Sequence, residues 1–139
     1  MILSLIVSAI LTVSPSWTEP DWTRFLTALR LTETGDQPNN GIGAKGDGGK
    51  SIGPYQISKA CWTDATEYDK TIGGKYEDCL TDPEYSKKIV RAYVCRWLRK
   101  DGSMEDAARL WNAGPKWASK KPLTDGYAKR FQRNLDKQK

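Results

Sequence analysis

Seven of the twenty residues from Thr34 to Gly53 are glycine: Gly35, Gly41, Gly43, Gly46, Gly48, Gly49 and Gly53. Each glycine in a helix costs roughly 1 kcal/mol relative to alanine, so this stretch is excluded as helix. Helical patterns stand on both sides of it. The chain is therefore expected to be a set of helices around one long glycine-rich loop. Asn39-Asn40-Gly41 and Asp47-Gly48-Gly49 are turn chemistry, and a short hairpin fits between them. A length of 139 residues suits one domain.

The flanking helices announce themselves by their caps. Trp22, Phe25, Leu26 and Leu29 recur at helical spacing, with Pro20 in the first turn and Thr18 or Glu19 before it. This helix is predicted to end between Leu31 and Glu33. Ser58 caps a helix to about Tyr68. Asp82-Pro83 sets a cap and a first-turn proline for a helix to Arg99. Its wide stripe of Tyr85, Ile89, Val90, Ala92, Val94, Trp97 and Leu98 marks it as the central core helix. Ser103 with Asp106 opens a shorter helix through Trp111, which Asn112-Ala113-Gly114-Pro115 breaks. Thr124 opens the last helix, with Tyr127, Phe131 and Leu135 at four-residue steps.

Composition narrows the chemistry. The chain has no histidine, so Ser-His and Cys-His nucleophilic pairs and His-ligated metal sites are excluded. Acid–base work falls to carboxylates, lysine, tyrosine or cysteine. No cofactor or metal is called for. The net charge of +5 suits an anionic partner such as a bacterial wall polymer. Lys and Arg are scattered with no aromatic–basic ladder, so nucleic acid is not the expected partner. Met1 to Val13 is apolar and uncharged, too short for the ~20 residues a membrane span needs. Residues 1–16 read as a secretory signal, although no Lys or Arg precedes the apolar run. That leaves one domain at 17–139, extracellular or periplasmic, monomeric and without a membrane span. Cys61, Cys79 and Cys95 allow three pairings. A Cys61–Cys79 disulfide is favoured, closing the loop between two helices, with Cys95 as a buried thiol.

Two nucleotide motifs are refused on context. Gly41, Gly43 and Gly46 spell G-x-G-x-x-G, and residues 44–51 approach a phosphate-binding loop. Both need a buried strand before them and a helix after them. TETGDQPNN is no buried strand, and Gly53-Pro54 forbids a helix starting there.

Glu33 falls at the end of the first helix, beside Leu29 and Leu31. Lost hydration and the negative end of the helix dipole both favour its protonated form. A carboxyl kept protonated is what general-acid cleavage of a glycosidic bond requires.

Thr32-Glu33-Thr34-Gly35, Asp47, Ser51-Ile52-Gly53-Pro54-Tyr55-Gln56-Ile57, Trp62-Thr63-Asp64 and Asn112-Ala113-Gly114-Pro115 occur in that order. Together they resemble the invertebrate-type lysozymes, particularly their shorter bacterial relatives, over roughly Trp22 to Tyr127. The resemblance implies an α+β, mostly α, lysozyme-like domain with the glycine-rich loop or hairpin beside a cleft. It implies Glu33 as general acid and Asp47 as second carboxylate, with Asp36 in reserve. It also implies that Ser51, Tyr55, Gln56 and Asn112 line a sugar-binding cleft. Tyr55 and Trp111 are of the type that packs on sugar faces, or they are core aromatics. Ile52 stands where the family often has Cys, and Trp111 where His is common. With so few cysteines, the six tryptophans are expected to carry stability through the core.

The expected substrate is peptidoglycan or a related amino-sugar polysaccharide. The alternatives are a lytic transglycosylase using one Glu, a non-catalytic wall- or chitin-binding module, and a peptidase cutting isopeptide cross-links.

Overall fold

The computed structural model describes residues 15–138. Met1–Ser14, the bulk of the expected signal, lies outside the described residues. Helix α1 (Glu19–Thr34) opens on a reciprocal cap: Asp21 N–H donates to Thr18 Oγ1 at 3.2 Å, and Thr18 N–H to Asp21 Oδ2 at 3.0 Å. Two satisfied amides and Pro20 fix its start.

The glycine-rich stretch folds into a small antiparallel sheet in the order β1 (Lys45–Gly46), β2 (Ser51–Ile52), β3 (Ile57–Ser58). Lys45 pairs with Ile52 and Gly46 with Ser51; Ile52 pairs with Ile57 and Ser51 with Ser58. One-turn 3-10 segments occupy Pro38–Gly41 and Asp47–Gly49. The expected hairpin is thus β1–β2, and a third strand extends it.

Helix α2 (Lys59–Tyr68) begins at the Ser58 cap. A single turn, α3 (Asp78–Thr81), precedes α4 (Pro83–Trp97), which Asp82 caps at Tyr85 N–H. Helix α4 stops two residues before the expected Arg99. Helix α5 (Met104–Ala113) carries the Ser103–Asp106 reciprocal cap. A 3-10 segment, Trp117–Thr124, leads into α6 (Asp125–Asp136).

The core is closed by α1 against α6 and α2 against α4, with α5 on α6. Phe25 of α1 meets Phe131 of α6 with ring centroids 5.4 Å apart. Helix α4 contributes Ile89, Val90 and Val94, all fully buried. Trp17 packs in tilted contact with Trp22 and Phe25, ring centroids 4.7 and 5.1 Å apart, fastening the chain that enters α1.

Two expectations are corrected. The Cys61–Cys79 bridge is not formed; both are free thiols. Burial pushes the Cys79 thiol up to about 12 and the Cys61 thiol higher still, so neither supplies the thiolate that disulfide exchange needs. The tryptophans do not jointly make the core either. Trp22 is buried, whereas Trp97 is 38% exposed beneath the Arg96 guanidinium, and Trp17, Trp62, Trp111 and Trp117 lie half-buried at the core's edge. Aliphatic side chains and Phe25, Tyr55 and Phe131 fill the interior.

Among the described residues, no helix is long and apolar enough to cross a membrane.

Candidate active site

A cleft of about 600 Å³ runs between the sheet and the helices. Its walls come from the end of α1, the β1–β2 hairpin with Gln56 and Ser58, the first turns of α2, Tyr93 of α4, the end of α5 and the first turns of α6. Glu33, Asp47, Ser51, Gln56, Trp111 and Asn112 all line it. Asp36 and Tyr55 do not line it.

Glu33 sits in the last turn of α1, whose end is tied down by Thr34. The Thr34 hydroxyl donates to the Pro54 carbonyl at 2.7 Å, locking the helix end to the sheet. Burial raises the pKa of Glu33 above the ordinary glutamate value. Hydrogen bonds from Tyr127 and Trp111 and the charge of Arg130 oppose that rise, and the negative charge of Asp47 adds to it. Desolvation is the largest of these effects, so the acid form is favoured. The Tyr127 hydroxyl donates to Glu33 Oε2 at 2.6 Å.

Asp47 approaches from the other side, at the turn that joins β1 to β2. Its backbone is left-handed, with φ at 51°. The Ser51 hydroxyl donates to its Oδ2 at 3.2 Å. Asp47 is exposed to solvent at the hairpin tip. The two carboxyls therefore occupy contrasting surroundings, one desolvated and one wet, which is the division that separates an acid from a charged partner.

Gln56 braces the floor. Its Nε2 donates to the Gly53 carbonyl at 2.9 Å and reaches the Ala44 carbonyl at 3.4 Å. The side-chain NH₂ is thereby spent on the backbone, and the amide oxygen lies under the sheet at Gly46. A Cβ at Gly46 would come within 2.2 Å of that oxygen, so any larger residue there would displace the Gln56 amide.

Tyr55 is corrected to the core. It is 2% exposed, and burial pushes its phenol up to about 12. The turn from Gly53 to Gln56 sends its ring into the core, outside the cleft lining. Trp111 stays at the cleft: its ring meets Tyr93 edge-on at 5.6 Å, and its indole faces Glu33. Asn112 is exposed on the rim beside Gly114 and Pro115.

Sequence reasoning missed Tyr127 and Arg130. Both lie in α6, three residues apart and so on neighbouring positions of one face, with the Arg130 guanidinium 5.4 Å from the Tyr127 ring centroid. Tyr127 read as one more member of an apolar stripe, and nothing local distinguished it. Asp64 also lines the cleft, with Arg96 Nη1 3.9 Å from its Oδ1.

Comparison with known proteins bears on this geometry. The family model described as Destabilase matches residues 30–134, a span that includes every cleft residue named above. Lysozyme 1 of Crassostrea virginica is 34% identical over 85 residues, 59% of this chain and 44% of the relative. The lysozyme of Ostrea edulis is 35% identical over 83 residues, 57% of this chain and 58% of the relative. The match thus spans about half the length of these curated relatives.

Proposed function

The chain belongs to the Destabilase family, and on that premise we propose that it is a lysozyme-like glycoside hydrolase cutting the glycan of bacterial peptidoglycan. The observation that carries the proposal is Glu33, desolvated at a helix end, sharing one open cleft with the hydrated Asp47. In the proposed reaction Glu33 gives its proton to the glycosidic oxygen as the bond to the anomeric carbon breaks. Asp47 acts there as nucleophile, or as the counter-charge to an oxocarbenium-like centre. Water completes the cut, and its proton restores Glu33. Similarity to two proteins named lysozyme supports the same reading. The net charge of +5 favours adsorption to anionic walls, and the apolar start of the chain is consistent with work outside the cytoplasm.

One observation favours a second reading. Asp47 is exposed, and the side-chain hydrogen bond to its carboxylate comes from Ser51. A lytic transglycosylase needs only the supported acid, Glu33. Asp47→Asn separates the two: the hydrolase is expected to lose about a hundredfold in rate, whereas a transglycosylase keeps near-parental activity.

Digestion of purified peptidoglycan, with fragments weighed by mass spectrometry, tests the proposal. Saccharides with reducing ends are expected. Anhydro ends would establish the transglycosylase instead, freed peptides a peptidase, and no products a binding module.

A further inference from the structure

Glu33 is held from behind by a side chain that the proposed reaction has not yet used. We infer that Tyr127 is a positioning residue for the acid: its hydroxyl fixes Oε2 of Glu33 and takes up the charge that develops there as Oε1 gives its proton to substrate. The inference rests on the reading of Glu33 as general acid.

The geometry is specific. Tyr127 is 6% exposed, and its hydroxyl lies 2.6 Å from Glu33 Oε2, a close O–H···O contact that strengthens once its acceptor carries charge. Glu33 and Tyr127 come from α1 and α6, the helices whose packing also joins Phe25 to Phe131. The pair is therefore mounted on two rigid elements, as a preorganised site requires. Burial, and then the charge of Glu33, hold the phenol well above its ordinary value, so it remains a donor rather than a competing acid.

The chemistry follows from where charge appears. In the resting state Glu33 is protonated and the hydroxyl meets a neutral oxygen. As the proton moves from Oε1 to the glycosidic oxygen, negative charge spreads onto Oε2 and the same hydrogen bond strengthens. An interaction that is stronger in the transition state than before it raises kcat rather than affinity. Other groups face the same carboxyl: Trp111 from α5 and Arg130 from α6 also favour its charged form, and Asp47 from the hairpin disfavours it. Tyr127 is distinct among them in holding Oε2 itself, at 2.6 Å.

Tyr127→Phe tests this while keeping the ring that packs in the core. The variant is expected to melt as a folded protein and to show kcat lowered about tenfold with KM little changed. Removing a donor from the charged form raises the pKa of Glu33. The alkaline limb of kcat/KM should therefore move to higher pH, and so should the Glu33 carboxyl resonance followed by carbon-13 NMR. In the parent, the Tyr127 hydroxyl proton should be protected from exchange and shift as Glu33 titrates. A limb and a carboxyl titration that both stay at parental values, in an enzyme that still requires Glu33, would overturn the positioning role alone. A hydroxyl resonance indifferent to pH would overturn it too. A carboxyl titration that moves, in a protein whose Glu33→Gln form remains fully active, would instead overturn the acid reading beneath it.

Discussion

Glu33→Gln lowers the rate of wall cleavage by about a thousandfold, with the fold retained. Gln keeps the shape of the side chain and an oxygen for the Tyr127 hydroxyl, which donates to Glu33 Oε2 in the parent. What disappears is the transferable proton. The same substitution carries a stability signature. Burial raises the pKa of folded Glu33 above its unfolded value, so folding favours the protonated carboxyl. That contribution is complete below the ordinary glutamate range and is lost as pH rises through the folded value. Gln does not titrate. Thermal melts should therefore show the variant gaining stability relative to the parent as pH rises through the folded Glu33 value, and no gain below the ordinary glutamate range. A variant that clears walls as fast as the parent would remove Glu33 from the chemistry.

Gly53→Ala is expected to destabilise the fold by about 4 kcal/mol, the combined size of backbone strain and overpacking penalties. Gly53 has φ at +77°, and a Cβ there would lie 1.8 Å from the Cys79 carbonyl oxygen. The obstacle is backbone on both sides. The Gly53 N–H is bound to the Ala44 carbonyl at 2.8 Å, and its own carbonyl accepts from the Gln56 N–H and side chain. Relief would require separating the sheet from α3, and with it the hairpin that carries Asp47. Denaturant unfolding should show a lowered midpoint. An unchanged midpoint would mean that the loop does not close on α3 in solution.

The starts of the long helices were legible because their causes are local. Thr18 with Asp21, Ser58, Asp82 with Pro83, and Ser103 with Asp106 each satisfy the first amides from within a few residues. The Trp117–Thr124 segment was not legible, because its partner is distant: Arg109 Nη1 donates to the Lys121 carbonyl at 3.1 Å and to Thr124 Oγ1 at 2.8 Å. The single turn α3 is too short to show a period.

The cleft divides in the same way. Glu33 and Asp47 stood out through motif order, and their neighbourhood emerges once the hairpin folds over the end of α1. Tyr55 lies in the strongest of those motifs, yet it is a core residue, because motif membership does not say which way a turn sends a ring. Tyr127 and Arg130 became visible only when α6 packed on α1, since a tyrosine in an amphipathic stripe looks the same whether its hydroxyl meets water or a carboxyl.

The central claim is that Glu33 stays protonated beside the cleft under conditions where ordinary glutamates are ionised. Carbon-13 NMR of the labelled side chain, titrated in the full-length parent and assigned with Glu33→Gln, measures this directly. The expected midpoint lies above the ordinary glutamate value of 4.5 and coincides with the alkaline limb of glycan cleavage. A midpoint at or below that value would contradict the claim.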